Sequence, residues 1–227
     1  MLTASLLMMA GQMMLHAAEV KAQLIVDGPP TRKSGMAPSA VIWLKPIQFD
    51  AVSAVVSAVA PGKFTLLQKD KMFTPHLLVV PIGSSVAFPN RDPFFHNVFS
   101  LFDGKRFDLG LYEAGSTRSV TFSREGVSYI FCNIHSEMSA VVIALDTPFY
   151  SIADSQGAFR IQDIPNGDYS LHVWIEGQAQ NSLDQLTRRV HIAGTTIALG
   201  DIHAGTPKSQ HLNKFGRPYE PDSVPTY

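Results

Sequence analysis

The sequence predicts an all-β protein, and three observations lead to this prediction. Glycine occurs 16 times and proline 15 times in 227 residues, spread between short apolar runs, as in chains with many turns. Apolar and polar residues alternate in the stretch "RSVTFSREGVSYIFCN" (118–133), which is the period of a strand with one buried face. Within it, "REG" (124–126) marks the turn of a hairpin.

The composition limits the possible functions. Hydrophobic residues make up 45% of the chain and charged residues only 16%, so a buried core is expected. The length suits one large or two small domains. The net charge is −1, with 18 basic and 19 acidic side chains, and there is no long Lys/Arg run. This balance provides no basic field for nucleic acid, so no nucleic-acid partner is expected.

Residues 1–22, "MLTASLLMMAGQMMLHAAEVKA", are predicted to be a secretory signal peptide, although no Lys or Arg precedes the apolar run. The small residues around Ala18 and Ala22 form two candidate cleavage sites. Gln12 and His16 interrupt a run that is already short for a membrane span, so no stable membrane insertion is expected after signal removal. The mature protein is expected to be periplasmic or secreted. The alternative is a buried amphipathic helix.

The remaining strands are predicted from apolar runs between turn residues. The order begins with 21–28 and 39–46, followed by an apolar segment at 51–64 that fits either a helix or a strand. The later predictions are two strands in 76–90, the hairpin 118–133, a strand at 139–147, a strand group at 149–177, two strands in 187–202 and an extended tail.

Cys132 is the only cysteine of the chain and therefore cannot form an intrachain disulfide. It is either a small buried apolar residue or a thiolate held by a metal ion. The stretch "CNIHSEM" (132–138) places His135 and Met138 on the same loop, and "FPNRDPFFHNVFS" (88–100) offers His96 as a second imidazole. One thiolate, two imidazoles and a weak thioether suit an ion that cycles between Cu(I) and Cu(II).

The combination of "HNV" with a later "CxxHxxM" resembles the cupredoxins, the blue-copper proteins, with the short amicyanin/plastocyanin-like spacing. The resemblance covers about residues 64–146. It implies a Greek-key β-sandwich with one type 1 copper ion, ligated by His96, Cys132, His135 and Met138. It also implies that the backbone N–H of Asn97 supports the thiolate from outside the ligand set.

Other cysteine chemistries each lack a component. Structural zinc requires four Cys/His ligands, and covalently attached haem requires CxxCH. A nucleophilic cysteine with His135 as its base would place both groups in one tight turn, with no evident oxyanion hole.

His76 is expected at the start of a strand. Whether it lies near the metal is left open by the sequence.

The stretch "ADSQGAFRIQDIPNGDYSLHVW" (153–174) is similar to the carboxypeptidase regulatory-like β-sandwich, an immunoglobulin/transthyretin-like fold. An early strand pair of that family would correspond to residues 21–46. The predicted division is therefore a signal peptide at 1–22, a split sandwich at 23–50 and 147–205, a cupredoxin-like domain at 51–146 and an extended tail at 206–227. This order resembles exported, methylamine-utilisation-like bacterial proteins.

These resemblances imply an exported type 1 copper protein that carries single electrons between redox protein partners and is not an enzyme. Two alternatives stay open. The first is a periplasmic protein that binds and hands on Cu(I), and the second is a β-sandwich interaction module without redox activity.

Overall fold

The structure is a computed structural model that describes residues 17–27, 37–47, 59–101 and 104–205. Across these ranges the chain forms strands almost throughout, with one helix of seven residues. The predicted all-β class is confirmed. Most of the predicted leader and of segment 51–64, and all of the tail from residue 206, lie outside the described ranges. No helix in the described part of the chain has the length and apolar character needed to cross a membrane.

The elements follow one another with short connections. In chain order they are β1 (Ala17–Val26), β2 (Ala40–Pro46), β3 (Lys63–Thr65), β4 (Leu67–Lys69), β5 (Met72–Thr74), β6 (Leu77–Pro81), β7 (Ser84–Pro89), β8 (His96–Ser100), β9 (Phe107–Tyr112), β10 (Thr117–Phe122), β11 (Gly126–Cys132), β12 (Ser139–Leu145), β13 (Tyr150–Ile152), β14 (Ala158–Pro165), β15 (Gly167–Ile175), α1 (Gln180–Leu186), β16 (Arg188–Ile192) and β17 (Thr196–Ala204).

The first of two sandwiches, here called the site sandwich, is built from the middle of the chain. Its larger sheet has the order β6-β12-β11-β8-β9, and its smaller sheet has the order β10-β7-β3. Alternate apolar residues of both sheets meet in one core, with Phe88 and Phe122 from the smaller sheet and Ile130 and Val142 from the larger one. This is the two-sheet architecture expected of a cupredoxin-like fold.

The second sandwich, here called the flanking sandwich, joins the beginning of the described chain to its end. Its sheets have the orders β14-β1-β17 and β13-β2-β15-β16. Strand β1 pairs antiparallel with β14 and parallel with β17, and β2 pairs antiparallel with both β13 and β15. The early strand pair therefore contacts strands that follow residue 149. The division of the chain into domains stays a prediction.

The two sandwiches share an apolar core. The outer face of the larger site sheet contributes Val79, Val141 and Ile143 to the same cluster as the flanking strands. A hydrogen bond crosses this contact, in which Trp174 Nε1–H donates to the Tyr129 hydroxyl over 3.1 Å. Strands β11 and β12 are consequently buried on both faces.

Several elements were not predicted from the sequence. The strands β4, β5, β8 and β9 are three to six residues long, and α1 has no side-chain cap and no acidic residue in its first turn. Such short segments carry too few periods of apolar alternation to be recognised.

Strand β1 begins at Ala17, inside the predicted leader. Its buried residues Ala18, Val20 and Ala22 are small and apolar, as residues near a cleavage site also are.

The strand position leads to a prediction about the mature N-terminus. A chain that starts at Glu19 keeps the pairs Val20↔Ile161 and Ala22↔Phe159, whereas a chain that starts at Gln23 loses them. Burial of Val20 alone contributes about 2 kcal/mol. We expect the Gln23 form to unfold at a clearly lower urea concentration than the Glu19 form. Equal unfolding midpoints would contradict the assignment of residues 19–22 to β1.

Candidate metal centre

Cys132 is the last residue of β11, and its side chain is completely buried in the core of the site sandwich. Residues 132–138, here called the ligand loop, return the chain from β11 to β12. Two backbone hydrogen bonds close the loop. The Cys132 N–H donates to the Met138 carbonyl and the Met138 N–H donates to the His135 carbonyl, both over 3.1 Å. The spacing of "CNIHSEM" thus forms one compact turn.

The second histidine reaches the loop through strand pairing. In the antiparallel pair β8–β11, Cys132 lies opposite Val98. His96 is two residues from Val98 and therefore points to the same face of the sheet. The Asn133 N–H donates to the Asn97 carbonyl over 3.0 Å and continues this contact beyond the end of β11. The sheet register therefore brings His96 to the sulfur, 36 residues away along the chain.

Three of the predicted ligands come together. The Cys132 Sγ lies 3.5 Å from the His96 Nδ1 and 3.6 Å from the His135 Nδ1. One donor atom from each of the three residues lies within 4.8 Å of the other two. His96 and Cys132 are fully buried, whereas His135 is partly exposed. The site consequently has a closed inner side and one histidine at its outer edge.

The two other predicted site residues are close to the cluster in the fold. Met138 is fully buried and belongs to the same apolar cluster as Cys132. The Asn97 side chain donates to the Asp108 carboxylate over 2.5 Å, which fastens β8 to β9. Coordination by the Met138 sulfur and support of the thiolate by the Asn97 backbone N–H stay predictions.

Asp92 is a site residue that the sequence analysis missed. Its carboxylate lies 2.8 Å from the His96 Nε2. It also accepts the backbone N–H groups of Asp70, over 2.6 Å, and of Lys71, over 3.0 Å. Both of these residues have positive φ, 55° and 57°, in the turn between β4 and β5. Asp92 therefore connects this turn to the imidazole. Its position four residues before His96 was the only available signal.

The hydrogen bonds determine which nitrogen of His96 is unprotonated. Burial alone would raise the pKa of Asp92, but the hydrogen bonds from Lys71, His96 and Asp70 outweigh it and hold that pKa below its usual value. Asp92 is therefore ionised, and the Nε2 of His96 carries the proton that it accepts. Burial lowers the pKa of His96, so its Nδ1 is unprotonated and presents a lone pair on the side of the thiol.

His135 is also held neutral. Burial, followed by repulsion from His96 and Lys71, lowers its pKa to about 4. The Phe94 ring lies against both imidazoles, with its centroid 5.4 Å from that of His96 and 5.5 Å from that of His135. The Lys71 ammonium lies 5.5 Å from the same ring. Two neutral imidazoles beside one thiol form a donor set that a metal ion can use without displacing a proton from an imidazolium.

His76 lies beside the exit of the ligand loop. Its Nδ1 lies 3.1 Å from the Ser139 carbonyl oxygen, and its Nε2 lies 2.6 Å from a Glu176 carboxylate oxygen. It directly precedes β6, as expected from the sequence. Because it contacts the residue after Met138, it connects the loop to its surroundings.

No protein-family model matches the sequence, and no curated protein does. Several solved structures match part of it. A purple cupredoxin from Nitrosopumilus maritimus is 22% identical over 36% of this chain and 98% of its own, with a TM-score of 0.33. A reduced amicyanin variant is 21% identical over 40% of this chain and 90% of its own, with a TM-score of 0.35. A copper-containing nitrite reductase from Thermus scotoductus is 19% identical over 54% of this chain but only 28% of its own, with a TM-score of 0.36. Identities and TM-scores this low establish no function for this chain.

The contacts of Asp92 predict a measurable effect on metal binding. In Asp92→Asn the amide can still accept from His96 Nε2–H, but it loses the negative charge and one acceptor for the backbone of the β4–β5 turn. We expect copper affinity, measured by chelator competition, to fall about 10- to 100-fold. Asp154→Asn is the control, because Asp154 also accepts backbone N–H groups but lies in the flanking sandwich. Equal losses in both variants would contradict a local role for Asp92.

The lowered pKa of His135 predicts a pH-dependent stability of the metal-free protein. The folded state binds a proton at this site only near pH 4, whereas an unfolded histidine binds one near pH 6.5. As the pH falls from about 6.5 to about 4, the unfolded state gains protons first and the free energy of unfolding decreases. Below that range His135 contributes no further change. Urea unfolding should show a shallower decrease in His135→Gln. Parallel profiles would contradict the prediction.

Proposed function

We propose that this protein binds one copper ion at His96, Cys132 and His135, with Met138 as a weak fourth ligand, and that it carries single electrons. The observation that carries the proposal is the position of the Cys132 sulfur, which has an imidazole nitrogen on each of two sides at 3.5 and 3.6 Å. Both nitrogens belong to neutral rings, and all three groups are fixed by the fold.

The spacing of the donors fits one shared ion. Nitrogen and sulfur atoms bound to a first-row metal at roughly 2.0–2.3 Å lie about 3.5–3.8 Å apart when the ligand angles are between tetrahedral and trigonal. The distances from the sulfur to the two Nδ1 atoms, 3.5 and 3.6 Å, agree with this range. The site therefore accommodates a metal ion without a large movement of the backbone.

The residue types favour copper over zinc. A two-histidine, one-cysteine set with a distant thioether is the donor set of copper electron-transfer sites. A structural zinc site would require a fourth strong nitrogen or sulfur ligand, and the His/Cys/Asp/Glu cluster in the described chain has three members. Met138 is the residue available for the weak position, because it is buried in the same core as Cys132.

The surroundings favour electron transfer. Copper, when bound, supplies a centre that accepts and releases one electron. The protein contributes a donor set held by a β-strand on each side, which limits structural change between the two charge states. His135 lies at the outer edge of the site. A ligand that is partly exposed at the outer edge of the site suits a transient contact with a redox protein.

We also propose that the protein is exported and that it carries electrons without being an enzyme. The apolar start and the single cysteine are consistent with a periplasmic or secreted protein, and β1 favours the cleavage site after Ala18 because it leaves residues 19–26 of the strand. Mass spectrometry of the mature N-terminus tests this. An intact Met1 on a cytoplasmic protein would contradict it.

The proposal predicts a specific spectroscopic loss. Cys132→Ser should abolish the intense visible thiolate-to-copper absorption, because a hydroxyl cannot provide the soft, covalent ligand. Visible and EPR spectra of the copper-loaded protein measure the effect. A wild type that binds no copper, or a variant with an unchanged spectrum, would make Cys132 a simple core residue and remove the electron-transfer proposal.

Met138→Gln is the matched comparison in the same loop. Copper should stay bound while the reduction potential shifts, since the axial ligand tunes the potential. His96→Ala should instead weaken binding by opening the buried side. A wild type that transfers Cu(I) to an apo partner and forms no stable Cu(II) state would favour copper trafficking over electron transfer.

A further inference from the structure

We propose that Glu176 of the flanking sandwich is a positioning residue for the ligand loop and acts through His76. The link joins a carboxylate on one sandwich to the backbone that leaves the loop on the other. The effect of this link on the copper potential rests on the proposed function. Its effect on the position of the ligand loop is testable in the metal-free protein.

The imidazole of His76 bridges the two sandwiches. Its Nε2 lies 2.6 Å from the Glu176 Oε1, and its Nδ1 lies 3.1 Å from the Ser139 carbonyl oxygen. Carbonyl and carboxylate oxygens only accept, so both ring nitrogens of His76 act as donors in this geometry. The His76 carbonyl in turn accepts the Val141 N–H over 2.8 Å. Ring and backbone of His76 therefore hold both ends of the segment 139–141.

The backbone of Glu176 is fixed in the flanking sandwich. Glu176 directly follows β15, and its backbone N–H donates to the Ser39 carbonyl over 2.9 Å, just before β2. Its side chain is only 24% exposed, whereas that of His76 is 41% exposed. A partly shielded carboxylate on a strand end can orient the imidazole.

Ser139 is the point at which this link reaches the ligand loop. It is bonded to Met138, whose carbonyl accepts the Cys132 N–H and whose N–H donates to the His135 carbonyl. A shift of Ser139 would be transmitted to both loop-closing hydrogen bonds. Three of the proposed ligands depend on these two bonds for their mutual position.

A second polar contact between the sandwiches provides an internal comparison. Lys45 Nζ of β2 lies 2.6 Å from Glu125 and 2.9 Å from Asp146. These acidic residues directly precede β11 and directly follow β12, at the end of the strand pair opposite to Cys132 and Ser139. The side chains of Lys45 and Glu125 are 29% and 32% exposed, similar to Glu176. This contact crosses the same interface but does not touch the ligand loop.

The experiment compares Glu176→Ala with Glu125→Ala in the full chain. In the metal-free protein, we expect hydrogen exchange of the Cys132 and Met138 amides to become about tenfold faster in Glu176→Ala only. In the copper-loaded protein, the same variant should shift the reduction potential, whereas Glu125→Ala should retain the wild-type value. Glu176→Gln, which keeps an oxygen acceptor, should restore exchange in part.

Each result has a defined meaning. Wild-type exchange in a folded Glu176→Ala variant, or equal acceleration in Glu125→Ala, would overturn the mechanical link. Faster exchange with an unchanged potential would overturn its influence on the metal centre. A wild type that binds no copper would refute the proposed function, while the exchange comparison would still decide whether Glu176 positions the loop.

Discussion

Strands β11 and β12 lie between two apolar cores, and the position of the metal-site candidate depends on this double burial. Ile130 and Cys132 point into the core of the site sandwich, whereas Val141 and Ile143 of β12 point toward the flanking sandwich. A slip of one residue would exchange the two faces and place apolar and polar groups in the wrong core. The register is therefore strongly specified, and with it the direction of the Cys132 thiol.

Because the Cys132 thiol is buried, its neighbouring imidazoles are more stable when they are uncharged, and both of them are neutral. Charged histidines beside a buried sulfur would be costly to desolvate. Burial lowers the pKa values of His96 and His135, and the carboxylate of Asp92 directs the remaining proton of His96 away from the sulfur. The three candidate donor groups are consequently already arranged around one point, and the tautomer of His96 is fixed by a residue that belongs to a different loop.

The flanking sandwich packs against the outer face of the larger site sheet and contacts the strands that carry the site. Its contact with the larger site sheet has an apolar centre that contains Trp174 and polar contacts at both ends, Lys45 with Glu125 at one and Glu176 with His76 at the other. Only the second of these lies beside the ligand loop. The two sandwiches thus differ in function in our interpretation, since one supplies the ligands and the other supports the loop that carries three of them.

The sequence by itself determined the all-β class and the local geometry of the loop, because alternation and turn residues act over a few positions. Cys132, His135 and Met138 are close in the chain, and their spacing was sufficient to predict a donor set. His96 was predicted as a ligand from the "HNV" resemblance, but its position beside Cys132, like the bond from Asp92 and the bridge from His76 to Glu176, was decided only by the tertiary structure. These contacts join residues from different strands or depend on where a loop folds back. The strand at residues 21–28 was predicted, but the first residues of β1, Ala17–Val20, were not, since these small apolar residues become recognisable as part of a strand only when they pair with β14 and β17, more than 130 residues later.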